Sequence, residues 1–283
     1  MDLIDTHQHL ILRDQLGYGW TSAILALANR GFSLADYTAL TAGKGVVGSL
    51  FMETGVDDAD YKTEARIIAG LVGPAPAGAG GVLGQIASCR PEAETGFDDW
   101  LDECETLHVK GFRRILHVVE DGLSQSTIFR ANLRKIGQRG LTFDLCVLAR
   151  QHDLAEDLIK THDDQIFVLD HCGNPDIAAG AFAPWAASLR RLAGYPNVYA
   201  KLSGITANCA PGTVSAGLLR PYVAHLLDCF GPSRILWGGD WPVVNIHSTL
   251  PDWIDLTRDL LGDLSPDEQH AIGMETARQV YRL

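Results

Sequence analysis

The chain has 283 residues, 46% hydrophobic and 20% charged, long enough for a large globular core without a disulfide framework. A net charge of −12 argues against a phosphate-backbone partner, which wants a basic footprint, and gives no reason to expect an anionic membrane surface. No run of about 18 apolar residues is present and no basic-then-apolar leader opens the chain; with six scattered cysteines read as reduced thiols, a cytoplasmic setting is expected.

The first seven-residue motif, Leu3-Ile4-Asp5-Thr6-His7-Gln8-His9, reads as a strand running into a His-x-His pair. On an extended backbone, side chains two apart point the same way, so His7 and His9 can converge. A helical patch is expected at 22–29, beyond an aromatic and glycine cluster, Gly17-Tyr18-Gly19-Trp20. The second strand, 46–53, ends in Glu53; a helix at 57–72 and a turn-rich Gly/Pro/Ala loop at 73–81 follow. A third strand covers 82–89. Phe97, Trp100, Leu101, Cys104 and Leu107 then recur at helical steps between acidic residues.

Strands four to eight are expected at 110–117, 141–147, 165–171, 197–203 and 234–240. Helices at 125–138, 151–162 and 184–194 separate them, with a stretch broken at Pro221 and running to Phe230. A helix near 251–262 and a last one opening on the capping box Ser265-Pro266-Asp267-Glu268 close the chain. Eight short apolar strands alternating with helices predict an α/β fold, one (β/α)8 TIM barrel over residues 1–283 with a C-terminal helix. The rival, a doubly wound open sheet, usually announces itself by a glycine-rich first turn, and here the first strand ends in histidines.

Barrel active sites sit at the C-terminal ends of the strands. Ionisable residues collect there: His7 and His9, Glu53, Arg114 and His117, Asp144, His171, Lys201, and Asp240. His108, His152, His162, His225 and His270 fall on helices or loops and read as surface or packing residues. Three histidines and an aspartate suit one divalent metal with a water. They equally suit metal-free hydrolysis with Asp240 taking a proton from water. Arg114 and Lys201 suit substrate oxygens or buried pairs with Glu53 and Asp144, and Trp241-Pro242 is positioned to wall a pocket. No G-x-S-x-G elbow, Walker loop or Rossmann fingerprint occurs.

Asp5-Thr6-His7-Gln8-His9, Gly111-Phe112-Arg113, Leu169-Asp170-His171-Cys172-Gly173-Asn174-Pro175, Lys201-Leu202-Ser203-Gly204 and Trp237-Gly238-Gly239-Asp240-Trp241-Pro242 resemble the amidohydrolase superfamily. The likeness is to its branch of sugar-acid lactonases and 2-pyrone-4,6-dicarboxylate lactonases, and it runs over essentially the whole chain. It implies a barrel that hydrolyses a small-molecule lactone. Asp240 would activate water, while His7, His9 and His171 polarise the carbonyl or, with Asp240, bind one metal, zinc first. Glu53, Arg114, His117, Asp144, Lys201 and Trp241 would contact substrate. Strand five offers Asp144 and no histidine, so two metals are not expected; one or none stays open. The rivals are a dicarboxylic-acid lactonase, a nuclease, a decarboxylase of the same superfamily, and a binding protein without turnover. Barrels of this kind often pair, and no stretch names an interface.

Overall fold

The computed structural model describes residues 1–74 and 80–283. Eight parallel strands run in chain order around a barrel: β1 (Leu3–Gln8), β2 (Val46–Met52), β3 (Gly81–Ser88), β4 (Val109–Ile115), β5 (Thr142–Cys146), β6 (Phe167–Leu169), β7 (Val198–Leu202) and β8 (Ile235–Trp237). The seam between β8 and β1 is tied by Asp240 N–H to the His7 carbonyl at 2.7 Å, His9 N–H to the Trp241 carbonyl at 2.8 Å, and Thr6 Oγ1 to the Trp237 carbonyl at 2.7 Å. The expected barrel is the observed fold.

Helices α1 (Leu34–Thr41), α2 (Tyr61–Ala69), α3 (Phe97–Cys104), α4 (Thr127–Gln138), α5 (His152–Lys160), α6 (Phe182–Ala193), α7 (Ala216–Phe230) and α8 (Leu250–Leu260) lie between and after the strands. They bury one apolar stripe each; α3 does so with Phe97, Trp100, Leu101 and Cys104. Ser33, Ser126, Ser215 and Thr249 cap α1, α4, α7 and α8 by accepting an early backbone N–H. The expected helix at 22–29 is a 3-10 turn at Gly19–Ala23 followed by turns, and the first helix instead begins after Ser33, where a capping box with Asp36 satisfies the first turn. Pro221 does not break α7: it stands in the second turn, where a missing N–H costs a single intrahelical bond. Positions 75–79 of the expected turn-rich loop lie outside the described residues.

The barrel interior is layered. Ile4, Leu50, Met52, Ile86, Val168 and Leu236 fill its lower part. The segment after α9 (Pro266–His270), a π turn and α10 (Thr276–Tyr281), plugs that end with Met274, Ala277, Val280 and Tyr281. One layer higher the inward positions turn charged: Arg113, Asp144, Asp170 and Lys201 are all buried. No helix is long and apolar enough to cross a membrane among the described residues.

Candidate active site

His7 and His9 reach the interior through an irregularity in β1. Ile4 belongs to the inner apolar layer, so strict alternation would turn His7 toward the helices. Between Asp5 and Gln8 the register against β2 slips by one residue, a bulge that reverses the parity and aims both imidazoles inward. Their ring centres are 4.9 Å apart, and His171 lies 4.5 Å from His7 on the other side.

His171 and Asp240 sit in turns beyond the short strands β6 and β8. Both have left-handed backbones, φ 55° and 53°, a conformation that non-glycine residues adopt at a cost and that clusters at functional sites. Neighbouring glycines make room. A Cβ on Gly204 would lie 2.2 Å from His171 Nδ1, and one on Gly239 would lie 2.4 Å from Asp5 Oδ2. The Asp5 carboxylate accepts from the N–H groups of His7 and Gly239 and from the Tyr37 hydroxyl, fixing the seam directly beneath the cluster.

Asp240 is the focus. Its Oδ1 lies 3.4 Å from His9 Nε2 and 3.7 Å from His7 Nε2, and its Oδ2 lies 4.0 Å from His171 Nδ1. Buried Oδ1 has no hydrogen-bond partner among the described residues. His9 Nδ1 faces the Met52 carbonyl at 2.8 Å and therefore carries the proton, which leaves a lone pair on Nε2. His7 Nδ1 is 3.4 Å from Asp170 Oδ1. An imidazole lone pair of His9 and the Asp240 carboxylate oxygen thus converge, with His7 Nε2 beside them and 3.2 Å from Arg113 Nη1. Histidines backed by a carbonyl and a carboxylate are the usual support of metal ligands, and His7, His9 and Asp240 form a group able to hold one divalent metal. His7, Asp170 and His171 form a second such group.

Burial pulls His7 well below the ordinary imidazole range and lowers His171 also. His117 falls to about 4, from burial and then from the neighbouring His171. Neutral imidazoles accept a metal or donate one hydrogen bond. Burial alone would raise the Asp170 carboxyl, but Lys201, His7 and Arg113 outweigh it and hold it well below the usual carboxylate range. Lys201 Nζ lies 3.1 Å from Asp170 and 2.7 Å from Asp144, and the Tyr281 hydroxyl donates to Asp144 at 2.9 Å.

A cleft of about 370 Å³ opens above Asp240, lined by His9, His117 and His171 on one side and by Trp20, Ile115, Val118 and Val243 on others. That is room for a small ring. A larger hollow of about 590 Å³ at Arg150, Asn174, Trp185 and Asn208 lies elsewhere and contains none of these groups. Size does not select the site; chemistry does.

The family description "Amidohydrolase" (Amidohydro_2) matches residues 4–283. The chain belongs to the amidohydrolase family. A curated L-fucono-1,5-lactonase of Burkholderia ambifaria is 27% identical over 88% of this chain and 83% of its own length. Another of that name from Burkholderia multivorans is 28% identical over 99% and 96%. The crystal structure of an amidohydrolase from Burkholderia multivorans with bound zinc superposes with a TM-score of 0.88, at 23% identity and with both chains fully covered. At that identity the likeness is one of fold.

In this amidohydrolase the expected site residues divide. His7, His9, His171 and Asp240 come together, and Glu53, Arg114 and His117 line the cleft. Asp144 and Lys201 do not reach it: both are fully buried one layer below, paired with each other. Trp241 is not among the residues lining this cleft: Phe32, after β1, and Tyr37, in α1, pack against its ring at 5.4 and 5.7 Å. Arg114 is tied to Glu92 at 2.7 Å, while its neighbour Arg113 reaches the histidines, 3.2 Å from His7 Nε2. Sequence reasoning passed over Arg113 and Asp170. Phe112 and Leu169 face the helices, so alternation turns Arg113 and Asp170 inward, but which face Phe112 and Leu169 take is set by the fold and not marked in the sequence.

Proposed function

We propose that this amidohydrolase opens the ring of an uncharged sugar-acid lactone by attack of water, with Asp240 as general base. The observation that carries this reading is the Asp240 carboxylate, buried at the cleft floor with Oδ1 unpaired among the described residues and three imidazoles around it. Water attacks the lactone carbonyl carbon as Asp240 takes its proton. The ring C–O bond then breaks, and the same carboxyl returns the proton to the departing alkoxide, leaving a hydroxy acid. His7, His9 and His171 polarise the carbonyl oxygen, by hydrogen bonding or by holding one cation.

The donor set of His7, His9 and Asp240 fits a single zinc ion, which when bound would supply Lewis-acid polarisation of the carbonyl. The lactonase names of the curated relatives support the reaction class. Preference for an uncharged ring rests on the arginines of the cleft wall. Arg90 is paired with Asp58 at 2.7 Å, Arg113 with Glu53 at 2.6 Å and Arg114 with Glu92. Each guanidinium already has a carboxylate, so a dicarboxylic lactone would have to displace one.

The test is a pH-indicator hydrolysis assay over aldonolactones and dicarboxylic lactones. Acid release on a sugar lactone is expected, reduced about 10²–10⁴-fold in Asp240→Asn. Undiminished turnover in that variant would remove Asp240 as base. Turnover confined to dicarboxylic lactones would overturn the substrate class.

A further inference from the structure

The Gly17-Tyr18-Gly19-Trp20 cluster has no part in the chemistry above, yet it is built into the mouth of the cleft. Asp57 and Asp60, just after β2, clamp it: Gly17 N–H donates to Asp60 Oδ2 at 2.9 Å, Gly19 N–H to Asp57 Oδ1 at 3.0 Å, and Asp57 N–H back to the Gly17 carbonyl at 2.9 Å. Glycine is required at 17 because a Cβ there would fall 2.1 Å from Asp57 Oδ2. Tyr18 is buried and anchors the segment from below, its hydroxyl accepting from Leu12 N–H at 2.9 Å.

Trp20 is held over the cleft by these contacts. Its indole N–H donates to the Thr54 carbonyl at 3.0 Å, and its edge rests near Gly55, where a Cβ would come within 3.5 Å of Nε1. With its polar atom satisfied, Trp20 remains 39% exposed and is one of the residues lining the cleft. A tryptophan fixed at its polar end keeps its large apolar body available for contact. The C–H face of a saturated lactone ring is the complementary surface.

We propose that Trp20 is a specificity-determining residue that stacks on one face of the substrate ring, and that Asp57 pre-positions it. This inference rests on the lactonase reading above and adds the group that selects ring shape. An aromatic platform held in place before binding adds affinity without ordering cost. It touches no bond that changes, so it acts on binding and leaves the chemical step alone.

The experiment uses whichever lactone of the panel the wild-type chain hydrolyses fastest. In Trp20→Ala, KM is expected to rise about tenfold with kcat changed less than about threefold. Trp20→Phe keeps a ring face and loses the bond to Thr54, so KM within about threefold of wild type is expected. Asp57→Ala should raise KM in the wild type and add little in the Trp20→Ala background, because the two residues act as one unit. Unchanged KM in Trp20→Ala overturns the inference and leaves the lactonase reading standing. A Trp20→Phe variant as impaired as Trp20→Ala assigns the residue to loop structure and likewise overturns it. Hydrolysis of no lactone in the panel removes both.

Discussion

Arg113 Nη1 lies 3.2 Å from His7 Nε2 and equally 3.2 Å from Asp170 Oδ2, while Nε of the same guanidinium donates to Glu53 Oε1 at 2.6 Å. One buried cation therefore joins a carboxylate from the end of β2, a histidine from β1 and the aspartate that backs that histidine. Arg113→Met leaves Glu53 buried without its partner. Removing one member of a buried pair costs about 3–5 kcal/mol, to be read as a lowered urea midpoint. Adding Glu53→Gln should restore part of it. A single variant as stable as wild type would mean that the pair adds nothing.

Zinc loading should stop at one equivalent per chain. The second candidate group, His7, Asp170 and His171, shares His7 with the first, and its carboxylate is already neutralised by Lys201 at 3.1 Å and Arg113 at 3.2 Å; in a third, His225, Asp228 and Cys229, the carboxylate is paired with Arg190 and His225 Nε2 faces the Ala186 carbonyl at 2.9 Å. Dialysis against zinc followed by elemental analysis gives the count, and Asp240→Asn should bind at least tenfold more weakly. Two equivalents retained by the wild type would contradict the charge argument.

Acid should weaken the fold through its buried neutral histidines. His152 donates and accepts between Ser188 Oγ at 2.7 Å and the Gly173 carbonyl at 2.8 Å, under the turn that carries His171. Burial lowers it from 6.5 to about 4. Above pH 6.5 neither state binds the proton; between 6.5 and 4 the unfolded chain binds it and the native chain does not, so stability falls as pH falls. Glu64 pulls the other way, since burial and then Glu53 raise it to about 8 and it protonates earlier in the native state. The difference between wild type and His152→Gln isolates the histidine: the wild-type advantage should shrink by on the order of 3 kcal/mol from pH 7 to pH 4. A constant difference in urea midpoints across that range would refute it.

The sequence by itself determined the barrel, because eight apolar runs spaced by amphipathic helices admit few other packings. It also determined His7, His9, His171 and Asp240 as strand-end groups, since a barrel concentrates function at one rim. Tertiary structure alone decided which charges face the cleft. Barrel strands are buried on both faces, so polarity does not mark the inner one. Arg113 and Arg114 are thus indistinguishable in sequence, and only the pairing of β4 with its neighbours turns Arg113 to the histidines. Asp144 and Lys201 share the inner face with the site but lie a layer too low, a matter of stagger along the barrel axis. The bulge that aims His7 inward depends on β1 slipping against β2, a relation between residues some forty positions apart, and it leaves no mark on either strand read alone.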